Sequence, residues 1–169
     1  MADQGLIAAA RGLLDLCRAK ALTIAAAESC TGGLLAATLT EIPGSSAVFD
    51  RGFVTYSNAA KTAMLDVPAD LIATFGAVSR ETAQAMASGA LVRAGVDLAV
   101  AITGIAGPGG ALPGKPVGLV HLAAASRGGQ RNHQARQFGD IGRAVVRQES
   151  VRVALAMLRE LAEQEAPPP

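Results

Sequence analysis

Leu22-Thr23-Ile24-Ala25-Ala26-Ala27 runs directly into Glu28-Ser29-Cys30-Thr31-Gly32-Gly33, and the join between the two decides the fold. A short apolar run closed by turn residues reads as a buried strand. The turn then opens a helix through about residue 40. A second run of the same kind, Asp97-Leu98-Ala99-Val100-Ala101-Ile102-Thr103, enters a Gly/Pro-rich loop over 104–116. Buried strands of this sort need helices on both faces of their sheet, and the rest of the chain supplies them.

Leu6, Ile7, Ala10, Leu13, Leu14 and Cys17 fall at helical spacing and predict an opening helix over 6–17. Val48 to Tyr56 reads as a strand, and Ser57-Asn58 caps a helix carrying Lys61 to Leu65. Val67-Pro68 restarts the chain into a short helix ending at Gly76, and Ser79 caps a longer one with Ala83, Met86, Ala87, Ala90, Leu91 and Ala94 on one face. Strands over 117–125 and 132–138 flank the turn Ser126-Arg127-Gly128-Gly129 as a hairpin. A closing helix runs from an Asp140 cap to about Glu163, with a frayed tail over 164–169. The expected architecture is one domain over residues 1–169. It is an α/β fold, a three-layer α/β/α sandwich around a mixed, mostly parallel sheet with one antiparallel strand.

Composition narrows the function. The chain has 169 residues, half of them apolar, so a sizeable core is available. A net charge of +1 gives no global field to gather nucleic acid or an anionic membrane. Four Phe, one Tyr and no Trp leave few stacking platforms for single strands. Cys17 and Cys30 stand apart with no CxxC and no nearby His, which argues against both a zinc site and a disulfide scaffold. The start of the chain lacks a basic region before an unbroken apolar stretch, and no run of about 18 residues is apolar enough to span a membrane. A cytoplasmic protein without metal is expected.

Chemistry concentrates at the strand ends, where open α/β sheets bind ligands. Ser29 sits beside glycines at a helix start, as a nucleophile would; equally, Ser29 or Thr31 serves as an N-cap there. Cys30 competes as a nucleophile because a helix N-terminus lowers a thiol's pKa, although a buried, inert Cys is the commoner case. His121 and His133 read as structural or surface residues, so no histidine is at hand as a base. Lys61 could replace one if burial lowered its pKa, the alternative being a solvated helix lysine. Gly109 to Lys115 spells GxxxxGK, but Pro116 follows in place of Ser or Thr and a strand in place of a helix, so the phosphate-loop reading fails. Thr103-Gly104-Ile105-Ala106-Gly107-Pro108-Gly109 remains as a cradle for phosphate or ribose, or as a plain surface turn. Arg143 and Arg147 stand i,i+4 at the start of the closing helix, where the dipole disfavours cations and a bound anion, solvent or a carboxylate would compensate.

Taken together, AAESCTGG (26–33), PGSSAVFDRGFVTYSNAAK (43–61), GAVSRET (76–82), AVAITGIAGPGG (99–110) and KPVGLVH (115–121) resemble the CinA C-terminal-like family, the nicotinamide-nucleotide amidohydrolases. The resemblance implies hydrolysis of the carboxamide of nicotinamide mononucleotide to nicotinate mononucleotide and ammonia. It implies no metal in the chemistry and a homo-oligomer; with the near-neutral charge, the expected partner is the small-molecule substrate, with no cofactor, nucleic acid or membrane. Its functional positions fall on Ser29, Tyr56, Lys61, Thr103 and Arg143; catalysis is expected on Ser29, Lys61 and Tyr56, and substrate binding on Thr103 and Arg143 together with Thr31, Gly32, Gly33, Gly104 and Gly107 of the two glycine-bearing loops. In that scheme Ser29 attacks, Lys61 takes its proton directly or through Tyr56, and amides near Cys30–Gly33 stabilise the oxyanion while phosphate lies near Arg143 or Gly104–Gly107. The sequence departs from the family at Ala111-Leu112-Pro113-Gly114, which is less polar, and at His121, where relatives are often aromatic. Two other classes would use the same chain: a non-catalytic nucleotide-binding module needing no low-pKa lysine, and a competence-related interaction domain needing an exposed patch.

Overall fold

A computed structural model of the protein describes residues 3–169; Met1 and Ala2 of the expected domain lie outside them. In chain order the elements are α1 (Gln4–Ala19), β1 (Ile24–Glu28), α2 (Leu34–Thr40), β2 (Phe49–Val54), α3 (Asn58–Leu65), α4 (Ala69–Phe75) and α5 (Arg80–Ala94). Then follow β3 (Leu98–Gly104), β4 (Leu119–Ser126), β5 (Arg131–Gln137) and α6 (Arg143–Gln164). The five strands form one sheet in the order β2-β1-β3-β4-β5. β1 pairs parallel with both β2 and β3, while β4 pairs antiparallel with both β3 and β5. Four strands therefore share one direction and β4 alone is reversed, as the sequence predicts.

The pleat sends alternate side chains to opposite faces and gives the sheet two cores. Ile24, Ala26, Leu98, Val100, Ile102 and Leu122 face α1, α2 and α6, whose Leu13, Leu35, Leu155 and Leu158 complete a large apolar layer. Ala25, Ala27, Ala99, Ala101, Ala123 and Ala125 face the other way, against Met86, Ala87 and Ala90 of α5 and Leu65 of α3. The alanine surface lets α5 lie close to the sheet. Gly89 extends the same economy to the next layer, because a Cβ there would collide with the Leu65 carbonyl.

Element limits differ from the sequence expectation where tertiary contacts decide them. The opening helix starts earlier than residue 6 because Asp3 accepts the Gly5 and Leu6 amides at 2.8 and 3.1 Å. The closing helix is not capped by Asp140; its N-cap is Gly142, at φ 95° and with no side-chain acceptor. Gly139 is left-handed too, so the chain over 139–142 turns outside the helix and carries Asp140 past the capping position. At the far end Glu165 is not frayed. It is 6% exposed and accepts the Gly128 amide at 3.0 Å, while Lys20 Nζ donates to the carbonyls of Ala162, Glu163 and Glu165. Among the described residues, no helix is long and apolar enough to cross a membrane.

Candidate active site

β2, β1 and β3 are neighbours and run the same way, so their carboxyl ends open onto one hollow. Ser29 follows β1, Thr55 and Tyr56 follow β2, and Thr103 and Gly104 end β3. Ser29, Tyr56, Lys61, Thr103, Gly104, Gly107 and Arg143 all line one cavity of about 290 Å³.

At its floor is a serine–lysine pair. The Ser29 backbone is held at both ends, its N–H donating to Ile102 O at 2.9 Å and its carbonyl accepting from Gly32 N–H at 3.0 Å. Lys61 comes from α3, whose start is fixed by the Ser57 hydroxyl accepting the Ala60 amide at 3.0 Å. That start turns Lys61 inward, where it is 1% exposed. Its Nζ lies 3.1 Å from Ser29 Oγ and 3.0 Å from the Thr55 carbonyl. Among the described residues no carboxylate pairs with it. Burial pushes the amine below the ordinary lysine range, against a smaller opposing effect of the Cys30 thiol. The Thr55 oxygen can only accept, so it fixes one N–H of the amine. In the neutral form the lone pair is then free for the Ser29 hydroxyl, the arrangement a general base requires.

Cys30 is 6% exposed, and burial raises its thiol to about 11, so at neutral pH it stays protonated and inert. Tyr56 is 60% exposed, and its hydroxyl is bonded to Arg143 Nη2 at 2.8 Å rather than to Lys61 or Ser29. The relay through Tyr56 is therefore not formed. Arg143 Nη1 donates to Gly107 O at 3.0 Å, so this one guanidinium ties the β2 end to the glycine loop. Thr103 Oγ1 donates to Ala77 O at 2.7 Å and draws Ala77 and Val78 into the cavity wall.

Thr31, Gly32 and Gly33 do not line the cavity. Gly32 and Gly33 take φ of 56° and 98°, a left-handed turn that seats the chain for α2. Thr31 is fully buried, with its carbonyl accepting from Arg147 Nη2 at 2.7 Å. Neither Ser29 nor Thr31 caps α2. Glu28 does so from the end of β1, taking the Leu35 and Ala36 amides at 2.8 and 3.1 Å. Those amides are closed to any ligand, whereas the amides of Cys30, Thr31 and Gly33, in the turn that leads to α2, donate to no oxygen among the described residues. The sequence signal for Glu28 was an acid at the end of an apolar run, just ahead of a helix. Ile105 and Ala106 of the expected cradle also line the cavity, and so does Asn58, unforeseen as a site residue. His121 and His133 stack at 5.2 Å, with Nδ1 of the first 3.0 Å from Nε2 of the second. Arg80 donates to the remaining His133 nitrogen at 3.2 Å, and neither ring lines the cavity.

Residues 7–162 match the CinA C-terminal domain. A CinA-like protein of Citrifermentans bemidjiense is 58% identical over 125 residues, covering 74% of this chain and 30% of that protein. One from Parasynechococcus marenigrum is 51% identical over 148 residues, covering 87% and 35%. The chain thus spans about a third of the length of these relatives. The crystal structure of competence/damage inducible protein CihA from Agrobacterium tumefaciens superimposes with a TM-score of 0.91 at 54% identity, over 92% of this chain and 94% of that one. A CinA superfamily protein from Escherichia coli follows the same path with a TM-score of 0.87 at 34% identity, over 96% and 92%. With the match running from α1 almost to the end of α6, this chain belongs to the CinA C-terminal domain family.

Proposed function

We propose that this protein hydrolyses the carboxamide of nicotinamide mononucleotide, releasing ammonia and nicotinate mononucleotide. The observation that carries the reading is the buried Lys61 amine 3.1 Å from Ser29 Oγ, with no carboxylate among the described residues paired to it. Ser29 Oγ attacks the amide carbon as its proton passes to Lys61 Nζ, forming a tetrahedral oxyanion. The Cys30 amide, an unengaged donor on a residue of the cavity wall, supports a role as its stabiliser. Lys61 returns the proton to the departing nitrogen, ammonia leaves, and an ester to Ser29 remains. Lys61 then takes a proton from water, whose oxygen adds to the ester carbon; the C–Oγ bond breaks as Lys61 returns that proton to Ser29 Oγ, and the acid leaves as its carboxylate, losing its own proton to solvent. Arg143, the cation of the cavity wall, supplies the charge for the substrate phosphate. No metal takes part in these steps. The substrate itself comes from the family resemblance, which also supports a cytoplasmic homo-oligomer acting in pyridine-nucleotide salvage.

Incubation with nicotinamide mononucleotide, with ammonia and the acid product quantified, tests the reading. Stoichiometric release of both is expected. Binding without release would leave a nucleotide-binding module, and neither would point to an interaction domain.

A further inference from the structure

Glu28 is the immediate neighbour of the nucleophile and has no exposed surface. A buried carboxylate is costly unless a cation or hydrogen bonds satisfy it. Among the described residues no Lys, Arg or His forms an ion pair with Glu28. Its two oxygens are satisfied instead by the Leu35 and Ala36 amides of α2. These are donors that a helix-capping side chain normally serves, and Gly33 at the N-cap has no side chain to do it.

Those two bonds close a ring of backbone that leaves β1 at Glu28, passes through Ser29 to Gly33 and returns at α2. Ser29 is the first residue inside the ring. Lys61 arrives from outside it, on α3, so the separation of Oγ and Nζ depends on how rigidly the ring is shut. Misplacing a reacting group by about 1 Å can cost on the order of 10²-fold in rate. We propose that Glu28 is a positioning residue for the Ser29–Lys61 pair, its carboxylate closing the turn onto α2 and so fixing the nucleophile against its base. The same bonds take the end of α2 away from the substrate. This inference rests on the serine–lysine reading of the site, and its test separates the two.

Glu28→Gln keeps an acceptor for the Leu35 amide but points an NH₂ group at the Ala36 amide, opening half of the closure. Two measurements are made on the folded variant, well below its unfolding temperature. One is kcat and KM for amide hydrolysis. The other is the rate at which an alkyl fluorophosphonate labels Ser29, where Oγ displaces fluoride from phosphorus and no amide is involved. We expect kcat to fall by about 10- to 100-fold with KM within about threefold, and labelling to slow by a similar factor. Glu28→Asp keeps the charge but is one methylene shorter; it should slow both rates too, and carries the test if the Gln variant does not fold. A variant with a lowered Tm whose kcat and labelling rate stay within twofold of wild type would reduce Glu28 to a helix cap and overturn the proposal. Slowed labelling in an enzyme that releases no ammonia would sustain the positioning role while removing the amidase reading. A wild-type protein that is not labelled at Ser29 would overturn both.

Discussion

Replacing Lys61 by Met tests the buried amine without any substrate. Met matches the length and apolar stem of Lys, so the packing beneath α3 is nearly kept, and what disappears is the titrating group. The Thr55 carbonyl loses its donor, a cost of about 1–3 kcal/mol that does not vary with pH. The informative part is the slope. Burial holds the folded-state pKa of Lys61 below 10.5, so between those two values the unfolded chain carries a proton that the folded chain lacks. Stability rises with pH wherever the unfolded state binds more protons, here by about 1.4 kcal/mol per pH unit for one proton. The stability of wild type minus that of Lys61→Met should therefore be lowest at acid pH. It should climb with that slope above the folded-state pKa and level off beyond about 10.5, the unfolded lysine value. Urea denaturation followed by circular dichroism from pH 6 to 10, on both proteins in parallel, measures the difference while every other titration cancels. A difference that stays flat across the range would mean that Lys61 keeps its ordinary pKa in the fold, and the neutral-base mechanism would fall with it.

Ser29→Ala should retain nucleotide binding and lose turnover by a factor on the order of 10³ or more, and Lys61→Arg, which cannot deprotonate, should be nearly as inactive; isothermal titration beside an ammonia assay reads both. Cys30, with its thiol raised to about 11, is expected to resist iodoacetamide at pH 8 until urea unfolds the chain, and rapid alkylation of the native protein by mass spectrometry would contradict its assigned inertness. Arg143→Ala should lower kcat/KM for nicotinamide mononucleotide by about 10- to 100-fold while sparing the riboside, since a charged hydrogen bond contributes about 1.5–3 kcal/mol; equal losses on both substrates would remove the phosphate from that side of the cavity.

What the sequence discloses is whatever is local. The strand–turn–helix over 22–40 is written in an apolar run, a cluster of turn residues and a return to apolar spacing, and β1 and α2 form there. Ser57 and Ser79 cap the helices they precede because an N-cap acts within three residues of itself. Contacts between distant segments leave no such trace. Ala77 reaches the cavity wall through Thr103, 26 residues away, and Tyr56 is held by Arg143 from across 87. Thr31, Gly32 and Gly33 adjoin Ser29 in sequence, yet the left-handed turn points them away from the hollow. Asp140 has the right chemistry for a cap, and two left-handed glycines deny it the position.

The reversal of β4 has a consequence for how this site can change. β3 ends at Gly104 on the cavity side, and because β4 runs the opposite way, Leu119 starts on that side too. The connection between them never crosses the sheet. It is pinned at its base, where Ile105 N–H donates to Leu119 O and Gly118 N–H to Ile105 O, and at two points further out, where Arg143 Nη1 donates to Gly107 O and Lys115 Nζ to Phe75 O. Beyond those pins, doubling the length of such a loop costs only about 0.6 kcal/mol in closure entropy. Residues inserted near its exposed Leu112 would disturb neither apolar layer nor the Ser29 turn. The chemistry is anchored in the sheet, while the wall that chooses what enters hangs from a tether whose length the fold leaves free.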